Sequence, residues 1–382
     1  MRYSLCLLLL FCSLNSINSQ TIYKKFDSYK LGESRELKIQ LPRNYTENTD
    51  KSYPLFVVLD GDYMFEAVVG NVDYYSYWED IPEAIVVGIN QVESRDRDCL
   101  YSEQNSLPMD SGTKFFEFIS IELIPYMNRN YRLAEFRVAV GHGDTANFIN
   151  YYLLKDSPLF NAYINVSPFL APDMLQYIPE RLQEVQSKVF YYMATSNNDL
   201  KAVMEDAEVL HNSLSKLDNK NLLYEFDSFD GPSHYSNPAH ALPNALESIF
   251  FVFQPISKKE YKERILTLDT SPVEYLQEKY QMIEDLFSFK KQIIINDFKA
   301  IAAAIEKSEN YEYYEDLGKI ARKEYPDTLL GHFYFARFYE ESGNPKKAMK
   351  TYRSAYILSE IGGYTKDDML RRADAIKKDF GN

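Results

Sequence analysis

The sequence predicts a doubly wound, mostly parallel α/β sheet followed by a smaller all-α domain. Between residues 21 and 255, short apolar runs alternate with helical patterns. Runs of this kind, flanked by Gly, Asp or Pro, are typical of strands buried on both faces of a parallel sheet. From 258 to 382 the pattern is helical throughout. We therefore expect two domains, with the boundary near residue 255.

The first 20 residues are typical of a secretory signal peptide. They contain one basic residue, Arg2, then an apolar run, and small polar residues near Ser19. After cleavage the chain keeps one cysteine, Cys99, so we expect no internal disulfide. No later segment is apolar enough to span a bilayer. We expect an exported protein that is periplasmic, associated with the outer membrane, or extracellular.

The composition limits the classes of partner. Hydrophobic residues make up 45% of the chain, which indicates a globular protein. The formal net charge is -14, which argues against nucleic acid or an anionic membrane as a partner. No HExxH motif or Cys/His spacing predicts a metal site, and we expect no metal and no cofactor.

Seven strands and an amphipathic helix are predicted in the first domain. The segment KFFEFISIELIPYM has apolar residues at 115, 116, 119 and 123, which is a helical stripe. The alternation of such helices with strands supports the doubly wound sheet. The predicted strands cover residues 36–42, 53–61, 83–90, 136–142, 160–168, 188–195 and 222–229.

The second domain contains a segment, about residues 329–362, that resembles a tetratricopeptide repeat. Ala336, Ala348 and Ala355 stand where two helices must approach closely, and Gly343 stands at the turn. One such repeat does not bury its own apolar face. We therefore expect it to pack on neighbouring helices or on a protein partner.

The most informative motif is RVAVGHGDTANFINYY, residues 137–152. It predicts a buried strand, a Gly-rich turn and a helix. In serine hydrolases a turn of this kind holds the catalytic serine, but this turn contains no serine. Either another residue attacks the substrate, or the domain no longer performs that chemistry.

Several motifs in order along residues 24–252 resemble the putative-esterase branch of the α/β-hydrolases. They include ESRELKIQLPRNY, YPLFVVLDGDYMF, PEAIVVGINQVESRDRD, FRVAVGH and LFNAYINVSPFLAPDM. That branch includes enterochelin-type siderophore esterases, S-formylglutathione hydrolases and several carbohydrate-ester esterases. The resemblance implies an α/β-hydrolase fold, a Ser-His-acid triad, an oxyanion hole and hydrolysis of carboxylic esters or thioesters.

The family's G-H-S-x-G-G turn is only partly present. Gly141 and His142 match it, but Gly143 stands at the position of the serine nucleophile, and Thr145 and Ala146 replace the two later glycines. The serine of such a turn has a strained backbone with positive φ, which glycine adopts freely. The resemblance therefore predicts that the turn is retained while the nucleophilic hydroxyl is absent.

The resemblance also assigns the other catalytic positions. The segment GPSHYSNP places His234 as the base, and Asp199 is the best candidate for the acid, although Asn197 or Asn198 could occupy that position. The oxyanion hole would use the amide of Asp144 and one amide near Gly61 or Asp62. The Asp144 carboxylate would oppose the development of negative charge there.

Three other routes to hydrolysis stay open. Asp144 could attack if the turn were shifted by one residue, but His142 would then occupy a position that requires a small side chain. Ser233 is next to the base in sequence, and we interpret it as an ordinary loop residue. Direct attack by a water molecule that His234 activates would form no covalent intermediate. The rate would then exceed that of the uncatalysed reaction by only about 10³–10⁴-fold.

The run Arg95–Asp98 resembles the family's R-x-R-D loop at the mouth of the active site. Two interpretations are equally open for this run: a binding role for Arg97 and Asp98, or a local lattice of ion pairs.

These observations favour an exported pseudo-esterase that binds a small ester or glycan ligand in its pocket, or a protein partner in the cell envelope through the repeat. The rival hypothesis is an active carboxylic-ester hydrolase that uses a non-standard nucleophile. A third is a structural accessory of an outer-membrane assembly, which rests only on export and the repeat.

Overall fold

The computed structural model describes residues 21–380. The predicted signal peptide, residues 1–20, lies outside the described residues. The chain divides into two compact units between Ile249 and Phe250. Within the described residues, no helix is both long enough and apolar enough to cross a membrane.

The first unit is built on an eight-stranded sheet with the strand order β1-β2-β4-β3-β5-β6-β7-β8. The pairs β1/β2 and β2/β4 are antiparallel, and all other neighbours are parallel. The predicted fold class is confirmed. The strands are β1 Thr21–Ser28, β2 Glu33–Gln40, β3 Tyr53–Val58, β4 Ile85–Ile89, β5 Leu133–His142, β6 Ala162–Val166, β7 Val189–Asn198 and β8 Leu222–Ser233.

The edge strand β1 was not among the seven predicted strands. Its sequence, TIYKKFDS, contains no apolar run, and most of its residues are exposed or half-buried. It pairs with β2 over its whole length, from Thr21 opposite Gln40 to Ser28 opposite Glu33. An antiparallel edge strand needs only one covered face, so it lacks the continuous apolar signal of the central strands.

Helices pack against both faces of this sheet. Three of the four residues of the predicted stripe, Phe115, Ile119 and Leu123, are fully buried, and Phe116 is half-buried against the same core. They lie in a helix that runs through a π-helical segment at Phe118–Leu123. The helices of the unit are α1 Phe65–Tyr77, α2 Arg95–Asp98, α3 Asp110–Glu117, α4 Ile124–Asn130, α5 Asp144–Ile149, α6 Met174–Glu184, α7 Lys201–Leu214 and α8 Asn237–Ile249.

The carboxyl ends of the parallel strands meet at one edge of the sheet. The residues that follow β3, β5, β7 and β8 are therefore brought together although they are far apart in sequence. Asp60 lies two residues beyond β3, Gly143 directly follows β5, Asp199 directly follows β7, and His234 directly follows β8. This edge carries the candidate site.

The second unit is all-helical, as predicted. Two helices, Leu329–Glu341 and Pro345–Ser354, flank the predicted turn, in which Gly343 has φ 74°. Ala336, Ala348 and Ala355 are fully buried in one apolar cluster. The helices are α9 Lys258–Glu263, α10 Pro272–Phe287, α11 Ile295–Ser308, α12 Tyr313–Glu324, α13 Leu329–Glu341, α14 Pro345–Ser354 and α15 Lys366–Phe380.

Candidate active site

Gly143 forms the sharp turn between β5 and α5. Its backbone angles are φ 62° and ψ -121°, a conformation that strains any residue with a Cβ. The turn is also very tight at Gly141, where a Cβ would lie 2.5 Å from the carbonyl oxygen of Thr145. The two glycines thus allow the strand–turn–helix geometry that the sequence predicted.

His234 and Asp199 form a buried pair beside this turn. Nδ1 of His234 lies 2.7 Å from Oδ1 of Asp199. Oδ2 of Asp199 accepts a hydrogen bond from Ser167 Oγ at 2.5 Å. Burial opposes ionisation of Asp199, but the hydrogen bonds from His234 and Ser167 outweigh it and lower its pKa. The acid is therefore held in the charged form that orients the imidazole.

The other candidates for the acid position lie elsewhere. Asn197 and Asn198 are exposed and bond to the loop that ends β8, through Asp230 and Gly231 respectively. Neither is within hydrogen-bond distance of His234. Asp199 is thus the residue that pairs with the histidine.

The free nitrogen of His234 faces the Gly143 turn. A Cβ placed on residue 143 would lie 3.5 Å from His234 Nε2. Among residues 21–380 no group hydrogen-bonds to this nitrogen. The strand ends thus assemble an acid–base pair that points at a residue without a side chain.

Arg95 fills the other side of the turn. Its Nε donates to Asp60 Oδ1 at 2.8 Å and its Nη2 donates to the carbonyl oxygen of His142 at 2.9 Å. Its Nη1 donates to the carboxylate of Asp144. Asp144 is therefore held by the guanidinium of Arg95, and half of its side chain is exposed.

Asp60 is the buried centre of a polar network under the turn. Its side chain is 2% exposed and contacts Arg95, Thr145 Oγ1 at 2.7 Å and Tyr63 Oη at 3.0 Å. Burial raises the pKa of Asp60, although the contacts with Arg95, Thr145 and Tyr63 oppose that shift. Sequence reasoning missed this role because the network joins turns that follow different strands.

His142 is buried between this network and the candidate base. Its Nδ1 lies 2.9 Å from Tyr63 Oη, and its Nε2 donates to the carbonyl oxygen of His234 at 3.0 Å. Burial, together with the neighbouring His234, lowers the pKa of His142 to about 4. At neutral pH it is therefore uncharged, and its hydrogen bond to the backbone of His234 positions the candidate base.

The turn after β3 was predicted to supply one oxyanion donor, from the amide of Gly61 or of Asp62. The amide of Gly61 donates to the carbonyl oxygen of Ile89 at 2.8 Å and so is already engaged. The side chain of Asp62 accepts from the amides of Gln91 and Val92, at 2.6 and 2.9 Å. The candidate donor from this turn is therefore the amide of Asp62. The second candidate donor is the amide of Asp144, at the start of α5.

Comparison with protein-family models gives one match to the sequence. The model described as "Putative esterase" matches residues 28–243, which is more than half of the chain. The chain belongs to the Putative esterase family.

Solved structures extend the similarity of this esterase-family chain beyond its first unit. An uncharacterised protein from Capnocytophaga ochracea is 31% identical, with a TM-score of 0.85, over 94% of this chain and 100% of that chain. An IroE-like serine hydrolase from Shewanella oneidensis is 21% identical, with a TM-score of 0.59, over 79% of this chain and 99% of its own. A search of curated proteins finds no match.

A more distant structure shares only the fold of the esterase unit. A siderophore hydrolase from Aspergillus nidulans is 16% identical, with a TM-score of 0.50, over 62% of this chain and 95% of that chain.

Of the two interpretations open for Arg97 and Asp98, their contacts favour the local lattice of ion pairs. Arg97 is exposed and lies 3.4 Å from Glu33, on the second strand. Asp98 is buried and pairs with the buried Arg35. Both residues belong to a local lattice of ion pairs, and Arg95 is the member of the run that reaches the turn. A four-residue helix sends neighbouring side chains in different directions, which the sequence alone does not order.

The mouth of the esterase-family site is bordered by aromatic side chains. Tyr235 is 85% exposed, and its ring lies 5.2 Å from that of His234. Phe169 is 38% exposed, and its ring lies 6.2 Å from that of His234. Ser233 is also exposed, and its hydroxyl lies 3.2 Å from that of Ser236. Within residues 21–380, no group of three or more His, Cys, Asp or Glu residues is arranged to hold a metal ion.

Proposed function

We propose that this chain is an exported, non-catalytic member of the esterase family that binds a ligand at its former active site. One observation carries the proposal. The His234–Asp199 pair is assembled and points at residue 143, where a glycine provides no hydroxyl. Without a nucleophile at this position, the covalent route of the Ser-His-acid mechanism is unavailable.

Two residues beside the turn, Asp144 and Arg95, support the proposed loss of ester hydrolysis. Asp144 carries a charge beside the amide that an oxyanion would need, and half of its side chain is exposed. Arg95 occupies space next to residue 143. A site selected for acyl transfer would keep its anion-stabilising donors free of a fixed carboxylate.

The mouth supports a binding role. Exposed aromatic side chains such as Tyr235 and Phe169 supply flat apolar area for a ligand at small entropic cost. We propose a small ester or a glycan as the ligand of this site. The helix pair α13 and α14 supports a tetratricopeptide-like second unit, for which we propose a protein partner in the cell envelope.

A second candidate function rests on the intact acid–base pair. Nε2 of His234 is open, so it can take a proton from a water molecule that attacks an ester directly. This route would make the chain a slow carboxylic-ester hydrolase. It predicts activity that depends on His234 and not on Asp144.

The deciding experiment is hydrolysis of p-nitrophenyl acetate and butyrate by wild type and four variants: Gly143→Ser, Gly143→Ala, His234→Ala and Asp144→Asn. For the binding function we expect wild type and His234→Ala to match the rate without protein. Gly143→Ser should gain activity and Gly143→Ala should not, because the two differ only in the hydroxyl.

Other outcomes favour hydrolysis. Turnover by wild type that His234→Ala abolishes contradicts the non-catalytic proposal and supports the water mechanism. Turnover that Asp144→Asn also abolishes identifies Asp144 as the nucleophile. If Gly143→Ser stays inert while wild type is inert, the site has been rebuilt for binding beyond the loss of the hydroxyl.

A further inference from the structure

The helical unit contains a cavity of its own. Its volume is about 350 Å³, which falls within the range of small-molecule pockets, about 300–1,000 Å³. It lies between α11, α12, α13 and the loop before α15. None of the site residues around Gly143 contributes to it. Its chemistry therefore stands apart from the esterase-like site and from the function proposed there.

Aromatic rings form the apolar part of the cavity. Phe333 and Tyr364 are half-buried, and their ring centroids lie 4.7 Å apart at an interplanar angle of 48°. Tyr314 lines the same cavity and is held by its hydroxyl, which donates to Glu306 at 2.7 Å. Rings fixed in this way offer a preformed surface to another flat group.

The two charged residues of the cavity differ in how they are paired. Oε1 of Glu306 accepts from Nε and Nη2 of Arg337, at 3.0 and 2.7 Å, and Arg337 also pairs with Glu340 and Glu341. Lys299 has no hydrogen bond or ion pair among residues 21–380, and its Nζ lies 6.0 Å from the centre of the Tyr364 ring. The cavity thus presents the exposed, unpaired ammonium of Lys299 beside an aromatic wall, while the Glu306 carboxylate is held by Arg337.

A turn of two glycines leaves space above this charge. Gly362 and Gly363 have φ 57° and 84°, and the backbones of Ile361 and Tyr364 bond to each other across the turn. A Cβ on Gly363 would lie 3.8 Å from Lys299 Nζ. Because no side chain is present there, a ligand group can approach the ammonium directly.

We propose that this cavity binds an aromatic ring that carries a carboxylate. The ring packs against Phe333 and Tyr364, and the carboxylate pairs with Lys299. A carboxylate supplies the missing counter-charge, and the ring covers apolar surface that is otherwise exposed to water. Such a group belongs either to a small free acid or to the end of a peptide, and the two sources share this chemistry.

The probe for this site is 3-phenylpropionate, titrated into the full chain by isothermal titration calorimetry. Two analogues separate the two halves of the proposal: 3-phenylpropanamide keeps the ring without the charge, and hexanoate keeps the charge without the ring. We expect 3-phenylpropionate to bind at least tenfold more tightly than either. Equal binding of the acid and the amide would overturn the proposal, because Lys299 would then contribute nothing.

Three variants place the binding in this cavity. Lys299→Met should weaken binding of the acid at least tenfold and leave the amide unchanged. Lys307→Met, on the same helix and exposed in its last turn, is the matched control and should bind as wild type. Ala303→Phe fills the cavity from an exposed helical position and should abolish binding of all probes. Wild-type affinity in Lys299→Met or in Ala303→Phe would contradict the proposal.

A tripeptide ending in Phe with a free carboxylate distinguishes the sources. Tighter binding than 3-phenylpropionate assigns the cavity to a peptide end, and weaker binding assigns it to a free acid. Both results support the aromatic carboxylate. Failure of all probes overturns this inference without touching the proposed function, because the hydrolysis experiment involves no residue of the cavity.

Discussion

Arg95 and Gly143 share the space above the turn: Nη2 of Arg95 lies 3.2 Å from the point that a Cβ on residue 143 would occupy. The guanidinium is held there by Asp60, the carbonyl of His142 and Asp144. Any side chain at residue 143 therefore requires the guanidinium to shift by a few tenths of an ångström. The absence of a side chain and the position of Arg95 are thus linked features of this site.

The glycines of the turn are predicted to differ in their tolerance of alanine. Gly143→Ala should lower the free energy of unfolding by about 1–3 kcal/mol, because φ is positive. Gly141→Ala should cost about 3 kcal/mol or more, because its Cβ would meet backbone atoms at 2.5 Å. Urea unfolding followed by circular dichroism measures both.

Gly70 provides the control for these substitutions. It lies exposed within α1, and a Cβ there would meet nothing within 4 Å. Gly70→Ala should stabilise the chain by about 0.5–1 kcal/mol, because alanine favours the helix. Equal effects at all three positions would show that the turn does not have the strained geometry described.

Arg95 is predicted to matter for stability, unlike its neighbour Arg97. Arg95→Ala removes hydrogen bonds to the buried Asp60 and to the carbonyl of His142, which should cost about 2 kcal/mol. Arg97→Ala removes only an exposed pair with Glu33 and should change stability by less than about 0.5 kcal/mol. Denaturant unfolding of the two variants checks this, and similar losses would contradict the placement of Arg95.

Asp199 is predicted to stabilise the fold through its buried contacts. Asp199→Asn should cost about 2 kcal/mol at pH 7, because it weakens charged hydrogen bonds with His234 and Ser167. Asn197→Ala and Asn198→Ala are the exposed controls and should each cost far less.

The effect of Asp199 should depend on pH in a defined direction. Its pKa is lowered in the folded chain, so its contribution is present above the unfolded pKa of about 3.9. It is lost as the pH falls through the lower folded value. The stability difference between wild type and Asp199→Asn should therefore narrow below about pH 4, and a difference that widens there would be inconsistent with the lowered pKa.

His142 predicts a second pH effect, at milder acidity. Its pKa is about 4 when folded, against about 6.5 when unfolded, so the unfolded chain binds more protons between these values. Its contribution is complete above pH 6.5 and is lost as the pH falls toward 4, by up to about 3 kcal/mol. His142→Asn should flatten this part of the stability profile. His240→Asn, at an exposed histidine, should leave it as in wild type.

The sequence predicted the parts of the site that follow local pattern. The strand, turn and helix around Gly143 were predicted from one continuous motif, and Asp199 and His234 from the resemblance of their segments to those of the family. Arg95 was not singled out, because neighbouring arginines on a short helix look equivalent until the fold orients them. The role of Asp60 depends on contacts with Arg95 and Thr145, 35 and 85 residues away, and no local pattern encodes such contacts.

The cavity beside Lys299 shows the same limit in the helical unit. Its lining comes from three helices and a loop spread over residues 299–364. The sequence predicted that this unit is helical, and the repeat pattern predicted α13 and its small buried residue Ala336, but a cavity exists only once the helices are packed. Nothing in the sequence distinguishes Lys299 from any other surface lysine.

The two units of the chain, which divide after Ile249, also differ in formal net charge. The first 249 residues contain 20 Lys and Arg against 34 Asp and Glu, whereas the remainder contains 22 of each. The whole formal charge of -14 thus belongs to the first unit. Since the Debye length is about 8 Å at physiological ionic strength, each unit's surface sets the potential that an approaching ion meets. Anions are repelled on average by the first unit and meet no net charge on the second, so lowering the salt concentration would slow anion capture more at the first site than at the second.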